Sequence, residues 1–175
     1  MRAQAPEALE VLRPGIDDDS SRGAEEVLGL KLPASFRRSV ARHDGQAMDW
    51  PSLVEFGYLM PLHQVVDEWR NLSQWFEEAG PAEGAWWRPG LVPFVARDGD
   101  YLCLDLDPRR PRRSGEVWAL LHDDEPALSR VARSFGVWLE RWADELEAGA
   151  FYLDEGAGAG LLPREGGPPS RLWSQ

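Results

Sequence analysis

The constraint that most narrows the fold is a hairpin written into residues 91–106. Asp98-Gly99 stands between two apolar runs, Leu91 to Ala96 and Tyr101 to Leu106. A two-residue turn here needs positive φ at both central positions, which aspartate tolerates and glycine adopts freely. The return run alternates, so Leu102, Leu104 and Leu106 face one side, and Tyr101, Cys103 and Asp105 the other. After the loop Pro108-Arg-Arg-Pro-Arg-Arg-Ser-Gly115, a third strand is predicted from Glu116 to about Leu121. The chain must therefore build an antiparallel sheet and find cover for it.

Helices supply that cover. Pro6 to Leu12 can form a short helix ended by Pro14-Gly15. Asp17-Asp-Asp-Ser-Ser21 offers caps and negative charge for a second helix, which runs to about Leu28 and stops at Gly29. Pro33 suits the first residue of the next helix. There Phe36 and Val40 share one face, Arg37, Arg38 and Arg42 share the wet one, and Gly45 closes the segment. Leu53 to Met60 is a candidate strand. Val65, Trp69, Leu72, Phe76 and Ala79 recur at spacings of 4, 3, 4 and 3, a single helical stripe that Gly80-Pro81 terminates. Asp123-Asp-Glu125 before Pro126 predicts an acidic helix entry. Leu128, Val131, Phe135, Trp138, Leu139, Trp142 and Leu146 would form its apolar face, to about Ala148.

The expected class is α+β: a small antiparallel meander of about 3–6 strands surrounded by helices. Residues 1–20 read as an N-terminal helical extension and 21–155 as the main domain. Residues 156–175 read as a Gly/Pro-rich tail, flexible or loosely docked, with Trp173 as its one strong anchor.

Charge limits the partners. The 175 residues carry 30 acidic and 19 basic side chains, a formal net charge of −11 spread along the whole chain. Such a surface repels nucleic-acid phosphate and anionic lipid and attracts basic partners, besides keeping the protein dissolved. Cys103 is the single cysteine, so no internal disulfide is possible, and its strand pattern predicts a buried thiol. The N-terminal residues lack the apolar core of a signal peptide, and no apolar run reaches membrane-spanning length. The expected location is cytoplasmic.

The motifs of familiar chemistry are missing. There is no Gly-x-Ser-x-Gly elbow, phosphate loop or dinucleotide glycine fingerprint. His43, His63 and His122 are far apart, and one cysteine cannot complete a zinc site. No catalytic residue, cofactor or metal is expected. Asp105 and Asp107 share a strand face, with Asp98 and Asp100 at its other end; a hard cation could use such oxygens, but calcium normally takes six or more. The competing reading is that Asp98 shapes the turn and Asp105 or Asp107 caps the loop before Pro108. Paired carboxylates can also hydrolyse glycosides. Arg109, Arg110, Arg112 and Arg113 form the basic cluster, and the acidic surroundings favour an exposed loop over a nucleic-acid patch. Trp69, Trp118, Trp138 and Trp142 fall on apolar faces. Trp50, Trp75, Trp86 and Trp87 fall near element ends or off the stripe, where a protein interface or a lid over the sheet are both open.

With these residues placed, the chain resembles the SMI1/KNR4 family of the SUKH superfamily. The resemblance begins at Ala24-Glu-Glu-Val-Leu-Gly29 and continues through Leu32-Pro33 and Phe36 to His43-Asp-Gly45. It resumes at Val66-Asp-Glu-Trp-Arg70 and at Trp86-Trp87 before Leu91-Val-Pro-Phe94. Gly99-Asp-Tyr-Leu-Cys-Leu-Asp-Leu-Asp-Pro108, Gly115-Glu-Val-Trp118 and Val131-Ala-Arg-Ser-Phe135 complete it, over roughly residues 24 to 150. Many relatives carry an acid and an aromatic after the Leu-Pro, where this chain has Ala34-Ser-Phe36 and keeps only the aromatic.

The resemblance implies helices around an antiparallel sheet, in agreement with the reading above. It also implies a non-enzymatic, protein-binding domain: bacterial members are mostly immunity proteins that bind and block a cognate toxin, often a nuclease, within polymorphic toxin systems. Fungal founders act in cell-wall synthesis and signalling, which leaves a regulatory or scaffold role as the alternative. A carboxylate-dependent enzyme acting on carbohydrate is a second alternative. The implied partner is a basic protein toxin, with no nucleic acid and no membrane. The expected contributors to its binding are Asp98, Asp100, Asp105, Asp107, Asp123, Asp124, Glu125, Trp86 and Trp87.

Overall fold

A computed structural model of the chain describes residues 10–47, 52–55, 57–83, 87–122, 127–154, 160–167 and 170–174. The order of elements is α1 Asp18–Leu28, α2 Ala34–Arg42, β1 Tyr58–Leu59, α3 Leu62–Glu83, β2 Leu91–Arg97, β3 Asp100–Asp105, β4 Glu116–Leu121, β5 Ala127–Ala132, α4 Phe135–Glu147, β6 Phe151–Leu153 and β7 Leu161–Pro163. Strands β1 to β5 form an antiparallel meander in sequence order, and β6 pairs with β7. The fold is α+β.

Local signals set the helix ends. Asp17 caps α1 by accepting from the Ser20 backbone N–H at 2.8 Å, and Gly29 ends it in the left-handed region. Glu25, buried on α1, accepts from the Leu32 N–H at 3.0 Å and so sets the entry to α2. Pro33, predicted as the first helical residue, stands instead at the N-cap, and the helix begins one residue later at Ala34. At the far end of α2, Gly45 has φ 67°, and a Cβ there would lie 2.5 Å from the Pro61 nitrogen. That contact lets Asp44 cap α3, accepting from the Leu62 N–H at 2.7 Å. Gly80 interrupts α3 with φ 79° and ψ 171°, where the break was predicted, and helix resumes beyond it to Glu83.

The hairpin forms as read, with φ 47° at Asp98 and 92° at Gly99 and Arg97 opposite Asp100. Its two faces meet different cores. Leu102, Leu104 and Leu106 join the main core with Phe36, Phe94, Phe135 and Trp138. Those four rings interlock edge to face: Phe36 to Phe135 at 5.0 Å and Phe94 to Trp138 at 5.0 Å. Cys103 faces the other side with Trp87, Leu91 and Leu120, under Trp69, Leu72 and Phe76 of α3.

Two expectations are corrected. The acidic helix entry at Asp123–Glu125 lies outside the described residues, and the segment just after it, 127–132, is strand β5 paired with β4. The helix begins at Phe135, capped by the Ser134 hydroxyl, which accepts from the Val137 N–H at 3.2 Å. The long strand predicted over Leu53–Met60 shrinks to Tyr58–Leu59 with isolated bridges before it.

The C-terminal segment is docked through more than one anchor. β7 pairs with β6, and Leu172 has no exposed surface. The Trp138 indole donates to the Leu172 carbonyl at 3.1 Å, and Arg141 donates to the Arg171 carbonyl at 2.9 Å. Arg97 stacks over Trp173 at 3.9 Å.

Candidate partner-binding site

The carboxylates of the hairpin are the natural starting point, and the structure commits most of them to the chain itself. Asp98 is exposed in the turn. Asp100 is buried and accepts from Arg97 Nη2 at 2.9 Å, from the His122 N–H at 3.0 Å, and contacts His122 Nδ1 at 3.0 Å. Burial pushes its pKa up, but the bonds from His122 and Arg97 outweigh that and hold it below the ordinary value. Asp105 has no exposed surface; one oxygen meets Arg88 Nη2 at 2.7 Å, the other accepts from the Asp107 N–H at 3.2 Å. Asp107, also buried, accepts from the Arg109 N–H and Nε, each at 3.0 Å. The bond from Arg109 lowers its pKa against the opposing pull of desolvation.

Asp107 therefore caps the loop after β3, one of the two roles its spacing allows, and Asp105 is a buried ion-pair partner. Neither is poised for acid–base work, which needs a carboxyl open to substrate. Trp87 likewise points inward, 2% exposed beneath α3. Trp86, Asp123, Asp124 and Glu125 lie outside the described residues. The basic loop is partly absorbed: Arg109 and Arg110 lean on Asp107, and Arg113 stacks over Trp118 at 5.4 Å. Among the described residues no three His, Cys, Asp or Glu side chains converge as a metal site, and no helix is long and apolar enough to cross a membrane.

A feature that sequence patterns do not reveal is a groove of about 460 Å³ between α2 and α4. The two helices approach near their first turns, where a Cβ on Gly136 would lie 3.7 Å from the Ser35 Cβ. Leu12, Leu59, Phe135, Trp138 and Trp142 give the groove its apolar lining. Arg38 and Arg42 stand one turn apart along the α2 wall, with Glu140 on the α4 wall. The wet face of α2 and the apolar face of α4 were both legible, but their spacing belongs to the tertiary structure. A second groove, of about 390 Å³, lies between α1 and α3 and includes the exposed Val27.

The architecture agrees with one known family. The model of the SMI1 / KNR4 family (SUKH-1) matches residues 15–141, from the residue before Ile16 into the middle of α4. No curated protein matches the chain. The family match covers well over half of the sequence and contains α1 to α3, the whole meander and the aromatic core, so the chain belongs to the SMI1/KNR4 family (SUKH-1).

Proposed function

We propose that this protein is a non-enzymatic binding protein, an immunity protein that holds and neutralises a cognate bacterial toxin. The observation that carries the reading is membership of the SMI1/KNR4 family. Two features of the molecule support it. The hairpin carboxylates a hydrolase would need are tied up: Asp105 in an ion pair with Arg88, Asp107 in the turn with Arg109. The net charge of −11 draws in a basic partner from a distance, raising the association rate more than the final affinity.

The exposed acidic side chains are then the steering surface. Asp18 and Asp19 at the start of α1 are largely exposed, as is Asp67 on α3. The test is to co-express the chain with the product of the gene adjacent to its own, as the candidate toxin. A stable complex that suppresses toxicity, and whose association slows as salt rises, supports the reading. A soluble toxin that neither co-purifies nor loses toxicity removes it.

A further inference from the structure

The groove between α2 and α4 stands out against the rest of an acidic molecule. Arg38 and Arg42 are exposed, and neither makes an ion pair with the described residues. Their neighbour Arg37 shows the alternative, because it is bound to Asp18 at 2.9 Å. Two free guanidinium groups one turn apart, in a chain with an excess of eleven carboxylates, are a local reversal of sign.

The lining beneath them is aromatic and aliphatic, and it contains an unmet donor. Trp142 is 5% exposed and its indole N–H has no acceptor among the described residues, whereas the neighbouring Trp138 indole is satisfied by the Leu172 carbonyl.

We infer that this groove is the docking site for a segment of the partner protein that carries large apolar side chains beside carboxylates. The apolar side chains fill the space over Phe135 and Trp138, and the carboxylates pair with Arg38 and Arg42. A polypeptide fits better than a fatty acid. An acyl chain has no use for Glu140 on the opposite wall, while a peptide offers backbone N–H groups to it. The inference rests on the protein-binding reading and adds a register to it. Long-range attraction brings a basic partner to an acidic protein; the inverted pair of charges accepts it in one orientation only.

The test uses the full chain and the double variant Arg38→Glu/Arg42→Glu, at two exposed positions. Titration is followed by tryptophan emission with two peptides: one alternating leucine and phenylalanine with glutamate, and the same peptide with lysine for glutamate. The glutamate peptide is expected to bind at least about tenfold more tightly, with the preference abolished in the double variant. Equal binding of both peptides, or binding of neither, overturns the inference. Binding of oleate without binding of the glutamate peptide assigns the groove to a lipid and also overturns it. A melting temperature lowered by several degrees in the double variant means that the groove holds this chain's own residues, and it overturns the inference too. The toxin complex separates this inference from the broader function: undiminished affinity of the double variant for the toxin sinks the groove and leaves the immunity reading standing.

Discussion

Arg88 closes on Asp105 at 2.7 Å, at a point where the Asp105 side chain has no exposed surface and that of Arg88 only 16%. The pair ties the segment before β2 to the end of β3. Removing one partner of such a pair strands the other charge in a dry place. Arg88→Leu is expected to cost about 3–5 kcal/mol in urea unfolding. Arg88→Leu combined with Asp105→Asn should recover most of that loss, because no uncompensated charge remains. A double variant as unstable as the single one would mean that Arg88 acts through packing alone.

The same strand and the loop that follows it set the acid response. Asp100 and Asp107 both hold their protons more weakly folded than unfolded. Their stabilisation is therefore complete above the unfolded value of 3.8 and is lost as pH falls through the lower folded values. Melting temperature followed from pH 7 downward should fall steeply only below about pH 4. Asp107→Asn should flatten that fall and lower neutral stability by about 1 kcal/mol, through the weakened bonds to Arg109.

Glu55 has the opposite sign. Burial raises its pKa despite the Ser170 hydroxyl that donates to it at 2.7 Å. A carboxyl that binds its proton more tightly when folded stabilises the fold at low pH, and that contribution is lost as pH rises through the folded value. Glu55→Gln keeps an acceptor for Ser170 and removes the half-buried charge. It should raise the melting temperature at pH 7, with the gain fading toward pH 4.5, the ordinary value of the group.

The tail is a part of the core by its contacts. Leu172 is fully buried, its carbonyl accepts from Trp138, and the next residue lies under Arg97. Leu172→Ala should cost about 2–5 kcal/mol in chemical denaturation, the range of a buried leucine. Trp173, partly exposed, should cost less when truncated. A negligible effect of Leu172→Ala would return the tail to the status of an appendage.

What the sequence disclosed and what it hid have physical reasons. Asp98-Gly99 dictated the hairpin because few residues accept positive φ in succession. Leu102, Leu104 and Leu106 announced the core face by strict alternation. Strand β5 was hidden because it carries a bulge: Ala132 pairs with Val117 and Arg130 with Trp118, so Val131 is the extra residue. Val131 and Ala132 are both buried, which breaks the period of two, and the spacing from Leu128 to Val131 to Phe135 imitates a helix. Leu172 was unreadable as an anchor because nothing local marks it; the cavity it fills is made by other elements. The candidate site was the least legible part. Carboxylates on a strand look available in sequence, and only the positions of Arg88, Arg109 and His122 show that they are spent inside the fold.

The most direct measurement of the central claim is calorimetric titration of the full chain with a candidate toxin, the purified product of the gene adjacent to its own, at low and at physiological salt. The account predicts a tight complex, weakened by added salt, that abolishes the toxin's activity at saturation. Absence of any binding heat with a folded, active toxin under both conditions, with activity untouched, would contradict it.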